Sequence, residues 1–284
     1  MTFRHMAALA AAAISMLVSA SLASGQDAPK AIKIATEGAY APWNFVTADG
    51  KLDGLEVDLA KDLCTRMKVE CTIVAQDWDG LIPSLKVGKF DVIMASMFIT
   101  PKRLETIDFT QPYAVDPSGF AVAKDSDLGK LGISAEKFKL EDEATSKAAI
   151  EKLKPLLKGK VIGVQAATAN LEFLKKYFGD IVEIREYKTT EQHDLDLAAG
   201  RIDGLFAQQT ALAATLAKPE FSEFTVAGPG FVGGVFGLGT GAGLRKEDKA
   251  LKDMLNKAID EAIADGTVKR LSEKWVKTDV TPVK

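Results

Sequence analysis

Several short apolar runs in this chain end in groups that could bind a small molecule. The plainest is Asp91-Val-Ile-Met-Ala-Ser-Met-Phe-Ile-Thr-Pro-Lys-Arg103, where an apolar run gives way to small and hydroxyl residues and then a guanidinium. Led in by Gly88-Lys-Phe-Asp, Val92 to Met94 reads as a buried strand, so Ser96, Thr100 and Arg103 stand beyond its carboxyl end, where open α/β sheets hold their ligands. Arginine grips a carboxylate through two parallel charge-assisted hydrogen bonds; the alternative is a surface arginine at the head of a helix. Ala31 to Thr36 alternates like a strand and stops in Glu37-Gly-Ala-Tyr-Ala-Pro-Trp43, a loop with a carboxylate and two aromatic rings. Cys71 to Ala75 is followed by Trp78-Asp-Gly80. Gly159-Lys-Val-Ile-Gly-Val164 ends in Gln165-Ala-Ala-Thr168, where Thr168 is placed to cap a helix and leave free N–H groups for an anion, or merely to cap it.

The elements that must position these groups alternate strand and helix, which argues for an α/β class with parallel sheets. Leu55, Leu59, Leu63 and Met67 recur four apart within Gly54 to Met67 and mark an amphipathic helix; Leu251, Leu255, Ile259 and Ile263 do the same near the end. Helices are expected also over Leu81 to Val87, Ala169 to Phe178 and Thr189 to Ala199, with a strand over Ile181 to Tyr187. The charged stretch from Lys124 to Lys160 reads as surface loop and helix. Gly200-Arg-Ile-Asp-Gly-Leu-Phe-Ala207 echoes Gly88-Lys-Phe-Asp-Val-Ile-Met-Ala95; a helix-to-strand turn favours this pattern by itself, but the echo also suggests two similar lobes, the second strand ending at Gln208. The glycine-rich Gly237 to Gly243 lacks the lysine and spacing of a nucleotide loop and reads as strand and turn glycines.

A net charge of −3 leaves no basic footprint for nucleic acid. Residues 1–25 have a basic start, an apolar middle and a small-residue end at Ser21-Leu-Ala23, the pattern of a secretory signal peptide cut near Ala23 or Gly25; the run is short and interrupted for a membrane anchor. In an exported protein Cys64 and Cys71 point to a disulfide rather than a metal site. With His5 in the leader, His193 is left alone, so neither a zinc site nor a histidine-based triad has its parts; no metal and no cofactor is expected.

The helix Gly54-Leu-Glu-Val-Asp-Leu-Ala-Lys-Asp-Leu-Cys-Thr-Arg-Met67, the segments Ile82-Pro-Ser-Leu-Lys and Thr100-Pro-Lys-Arg103, and the stretch from Gly237 to Asp248 resemble family 3 of the bacterial extracellular solute-binding proteins, the polar amino-acid receptors of ATP-binding-cassette importers. The likeness covers essentially all of the chain after the leader and is nearest to the basic-amino-acid and opine branch, including the Cys64/Cys71 pair. It implies the two-lobed type II periplasmic binding protein fold: two parallel-sheet lobes joined by two hinge strands, with residues 26–116 and 230–284 in lobe 1 and 117–229 in lobe 2. It implies a monomer in the periplasm that binds a basic amino acid or an opine and hands it to a membrane permease. Carried over position by position, Arg103, Ser96 and the Thr168 end of its helix would hold the ligand carboxylate, Tyr40 and Trp78 would sandwich the side chain, and Glu37 would face its cationic end, with Gln165 also lining the site. Gln208 stands where the family usually has an Asp for the α-ammonium, and Ala95 and Phe98 stand where basic-amino-acid members have hydroxyls. These departures fit an N-substituted amino acid such as an opine; alternatively Gln209 or a water compensates and the ligand is ordinary arginine. An enzyme on the same fold, dehydratase-like, is the other expectation, with Glu37 as its one obvious acid or base.

Overall fold

The computed structural model describes residues 29–283. The expected leader, 1–25, lies outside them. The chain opens with β1 (Ala31–Thr36), a small hairpin sheet of β2 (Ala39–Tyr40), β3 (Asn44–Val46) and β4 (Leu52–Asp53), helix α1 (Leu55–Met67) and β5 (Glu70–Ala75). A 3-10 turn at Trp78–Gly80, α2 (Leu81–Lys86), β6 (Val92–Ile93), α3 (Pro101–Leu104) and β7 (Asp108–Phe109) complete the first passage. The chain then builds β8 (Ser118–Ala123), β9 (Ile133–Lys139), α4 (Glu143–Leu157), β10 (Val161–Gln165), α5 (Ala169–Phe178), β11 (Glu183–Tyr187), α6 (Thr190–Ala198), β12 (Gly204–Gln208), α7 (Gln209–Leu216) and β13 (Phe224–Val232). It returns through β14 (Gly243–Leu244), α8 (Lys249–Ala264) and α9 (Thr267–Trp275).

Beside the small β2-β3-β4 sheet, two larger sheets result, ordered β5-β1-β6-β14-β7 and β11-β10-β12-β8-β13-β9. Each is the centre of one lobe, but neither is all parallel. β14 runs antiparallel to both its neighbours, and β8 runs antiparallel to β12 and β13. The cause is the pair of crossings between lobes: a strand that arrives from the other lobe enters its new sheet against the direction of the βαβ units already there. The two crossings are themselves paired, Thr240 N–H donating to the Ala114 carbonyl at 2.8 Å and Tyr113 N–H to the Thr240 carbonyl at 2.9 Å. β13 runs through the expected division at 229/230, and Phe231 and Phe236 are buried in the second core.

The first core joins the α1 stripe Leu55, Leu59 and Leu63 to Leu251, Leu255 and Ile259 of α8, so residues far apart in sequence bury one another. Gly54 opens α1 at φ 124°, and a Cβ there would sit 2.5 Å from the Trp43 carbonyl oxygen, so the close approach requires glycine. Cys64 and Cys71 form a disulfide, S–S 2.01 Å, tying the end of α1 to β5.

The echoed sequences have the same structural cause. Gly88 and Gly200 both take positive φ, 73° and 66°, to leave a helix. Three residues on, Asp91 Oδ2 accepts the Lys33 N–H at 2.9 Å and Asp203 Oδ2 accepts the Val161 N–H at 2.8 Å. Each aspartate thereby fastens its strand to the start of the neighbouring one.

A strand absent from the sequence reading is β9, in the stretch expected to be loop and helix. Its residues are mostly exposed, Glu136, Lys137 and Lys139 among them, because it is the edge of the second sheet, where one side of the strand faces water.

Candidate functional site

The strand ends converge on one cleft between the lobes. β1 delivers Glu37 and the hairpin Tyr40; the turn after β5 delivers Trp78; β6 leads to Ala95, Ser96, Phe98 and Arg103. From the other lobe, β10 brings Gln165, the first turn of α5 brings Thr168, and β12 brings Gln208. Glu37, Tyr40, Trp78, Ala95, Ser96, Phe98, Arg103, Gln165, Thr168 and Gln208 therefore line a single cavity, together with Ala169 and Asn170, which sequence reasoning missed; Thr100, expected beside Ser96 and Arg103, lies instead on the groove outside it. Asn170 could have been found from its place in the first turn behind Thr168; its Oδ1 accepts the Ser118 hydroxyl at 2.7 Å.

Local structure explains each placement. Thr168 caps α5, accepting the Leu171 N–H at 3.2 Å, and its own hydroxyl donates to the Gln165 carbonyl at 2.7 Å. Thr100 caps α3 by accepting the Arg103 N–H at 3.2 Å, which turns the arginine back toward the strand end. Ser96 has φ 49°, a left-handed conformation that costs a non-glycine residue roughly 1–3 kcal/mol and aims its backbone N–H away from the sheet. That N–H is taken up by Glu56 Oε1 at 2.6 Å.

The cleft is closed by contacts from wall to wall. Ser96 donates to Gln208 Oε1 at 3.0 Å, Gln165 Nε2 to Glu37 Oε1 at 2.7 Å, and the Thr190 hydroxyl to the Ala39 carbonyl at 3.0 Å. Trp78 Nε1 and Arg103 Nη2 both point at the Ala167 carbonyl, at 3.3 and 3.4 Å. Deeper, Trp43 Nε1 donates to Thr210 Oγ1 at 2.9 Å, and Thr210 donates to Asp116 Oδ2 at 2.5 Å. Lys188 and Asp77 bridge the mouth at 2.6 Å. What remains inside is about 20 Å³, the room of a single water. Outside Arg103, Thr168 and Ala169, which line both spaces, a groove of about 990 Å³ opens between α3 and the helices α4 and α5.

The electrostatics are polarised. Glu37 is buried and its carboxyl is pushed up to about 7, mainly by loss of water; the Gln165 hydrogen bond opposes this and the Glu56 and Asp77 charges add to it. Arg103 lies at the other side, its guanidinium over the Trp78 ring at 5.2 Å and donating to the Phe98 carbonyl at 3.0 Å. Desolvation lowers its pKa to about 10, leaving it charged at neutral pH. Among the described residues, no carboxylate pairs with Arg103 and no basic side chain pairs with Glu37. Tyr40 is buried, whereas Trp78 is half-buried and already carries a cation, so the two rings are not equivalent walls. Phe98 packs on Phe236 with ring centroids 5.4 Å apart, and so joins the core of the opposite lobe. Gln208 is 2% exposed, with Nε2 buried and unpartnered while Oε1 takes the Ser96 hydroxyl. Among the described residues, no group of three or more His, Cys, Asp or Glu side chains is arranged to hold a metal ion.

Known proteins match this architecture along nearly its whole length. The model of the bacterial extracellular solute-binding proteins, family 3, matches residues 32–278. The octopine-binding periplasmic protein of Rhizobium meliloti is 47% identical over 286 residues, covering 94% of this chain and 96% of its own. The histidine-binding periplasmic protein of Salmonella typhimurium is 38% identical, covering 89% and 90%. Among solved structures, a Salmonella typhimurium periplasmic binding protein of high arginine specificity superposes with a TM-score of 0.72 at 26% identity, covering 87% of this chain and 99% of that one. The fold is the two-lobed type II periplasmic binding protein fold. With its sheets, its paired crossings and this breadth of likeness, the chain belongs to family 3 of the bacterial extracellular solute-binding proteins.

Proposed function

We propose that this protein is the periplasmic receptor of an ATP-binding-cassette importer, capturing an arginine-like basic amino acid or an opine between its lobes and delivering it to a membrane permease. The observation that carries the reading is the polarised cleft: a guanidinium without a carboxylate at one side and a buried carboxylate without a cation at the other. A ligand bearing a carboxylate at one end and a guanidinium or ammonium at the other satisfies both. Arg103 takes the carboxylate, with Ser96 and the capped end of α5 beside it; Glu37 takes the cation, and Tyr40 and Trp78 flank the stem. Octopine binding by the Rhizobium meliloti relative and arginine specificity in the Salmonella typhimurium structure support this ligand class.

Two features favour an N-substituted ligand. Gln208 brings no charge to an α-ammonium, and the groove outside Arg103 leaves room for a substituent. The receptor works as a monomer: the lobe built on the second sheet closes on the other by bending at the paired crossings near Ala114 and Thr240. Its leader, 1–25, directs export.

A thermal-shift panel of arginine, ornithine, lysine, histidine, octopine, nopaline and neutral amino acids tests the proposal, since a ligand that binds only the native state raises apparent stability. Octopine or arginine should give the largest rise; a panel led by neutral amino acids would overturn it. A second reading, catalysis, has one observation in its favour, the Glu37 carboxyl at about 7, which suits a general acid. It requires that the shift decay as ligand is consumed.

A further inference from the structure

Glu56 lies in the first turn of α1, is 1% exposed and does not line the cleft. Its two oxygens nevertheless reach two of the lobe 1 segments that do, the Gly38–Asn44 hairpin beside Glu37 and the turn at Ser96. Oε1 accepts the Ser96 N–H at 2.6 Å and also the Tyr113 hydroxyl, at the approach to the first crossing. Oε2 accepts Asn44 Nδ2 at 2.7 Å, and Asn44 Oδ1 in turn accepts the Gly38 N–H at 2.8 Å, next to Glu37. We infer that Glu56 is a positioning residue of the binding site: one carboxylate sets the Glu37–Tyr40 wall and the Ser96 wall in register.

The chemistry is specific to an acceptor-only group. Three donors converge on Glu56, and a carboxylate can meet all of them without offering a hydrogen of its own. An amide cannot. In Glu56→Gln, an oxygen that stays toward Ser96 and Tyr113 leaves the NH₂ facing the Asn44 NH₂. Asn44 must then turn over, and its own NH₂ meets the Gly38 N–H. The mismatch is thus passed along to the residue beside Glu37. Adding Asn44→Asp repairs it: the new carboxylate accepts from both the introduced amide and the Gly38 N–H, with the same number of charges and the same hydrogen bonds as the native pair.

This polarity swap is the test. It is read by the affinity for L-arginine and octopine in calorimetry and by amide hydrogen exchange at Gly38 in the ligand-free protein. The affinity arm rests on the ligand class proposed above; the exchange arm does not. Glu56→Gln should lose about tenfold in affinity and speed Gly38 exchange by about tenfold, the loss of one buried hydrogen bond. The Glu56→Gln/Asn44→Asp pair should restore both. A part in core stability alone predicts a lower melting temperature with unchanged affinity and unchanged Gly38 exchange, which would overturn the inference, as would a loss that the second substitution does not rescue. If the wild type binds neither probe, the proposed ligand class fails and Gly38 exchange alone decides. If Glu56→Gln does not fold, a double variant that folds with native Gly38 exchange supports the inference, and one that does not fold refutes it.

Discussion

The strand that ends at Ser96 and the strand that ends at Gln208 begin alike and finish differently. Both leave a positive-φ glycine, both fasten to a neighbour through an aspartate, and both reach the cleft at an alanine followed by a polar side chain. Beyond that point the first turns through a left-handed serine toward an arginine, and the second caps α7 with an uncharged glutamine. The part they share is scaffold, and the chemistry lies at its ends. Lobe 1 holds the ionisable groups Glu37 and Arg103; lobe 2 faces them with the amides of Gln165, Asn170 and Gln208 and the hydroxyl of Thr168. On the proposed function, the first lobe would decide whether a ligand is held and the second would tune which one.

Substitutions can break that division or sharpen it. Arg103→Ala should cost roughly two to three orders of magnitude in affinity for arginine or octopine, since it removes a bidentate, charge-assisted contact; calorimetry showing a loss under tenfold would take Arg103 out of the site. Glu37→Gln should cost about tenfold to a hundredfold for guanidinium ligands and little for neutral ones. The pH dependence has a defined sign. A carboxyl raised to about 7 in the free protein is protonated below that value, and a cationic ligand requires it ionised. Affinity should therefore fall as pH drops through 7, by up to about tenfold per pH unit, and the Glu37→Gln profile should be flat. In ligand-free protein the same raised pKa means that the folded state holds this proton more tightly than the unfolded state. Its contribution to stability accordingly declines as pH rises from 4.5 toward 7.

In the second lobe the effects should be smaller and selective. Gln208→Asp should move the ranking toward simple α-amino acids by about tenfold relative to N-substituted ones, the scale of one added charge-assisted hydrogen bond; an unchanged ranking in the thermal-shift panel would show that lobe 2 does not discriminate there. Asp91→Ala and Asp203→Ala should each cost about 1 kcal/mol of stability in denaturant unfolding and leave the ranking of ligands alone. A change of ranking in either would mean that scaffold and chemistry are not separable.

Much of this was legible because strand ends announce themselves. Apolar runs that stop at Glu37, Ser96, Gln165 and Gln208 follow the period and punctuation of α/β units, and α5 begins and ends where the capping threonine and the apolar spacing place it. β9 was not legible, because an edge strand with exposed, charged residues has the composition of a loop and is defined by its distant partner β13. The antiparallel entries of β8 and β14 depend on where the chain crosses between lobes, which no local pattern records. Glu56 was invisible for another reason. In sequence it is one acid in the first turn of an amphipathic helix, and only the fold brings Ser96, Tyr113 and Asn44 to it.

The sharing of the first core between α1 and α8 also sets an order of assembly. β14, which fills the place between β6 and β7, and α8, which covers Leu55, Leu59 and Leu63, come from the last stretch of the chain. During synthesis the second lobe has all its strands as soon as Val232 has emerged, while the first waits for Gly243 and the residues after it. A chain that stalls or is clipped near residue 240 keeps every strand of the second sheet and an open, unfinished first sheet. Arg103 and Glu37 both stand on that unfinished half, so on the proposed function the ability to hold a charged ligand would be among the last properties the polypeptide acquires.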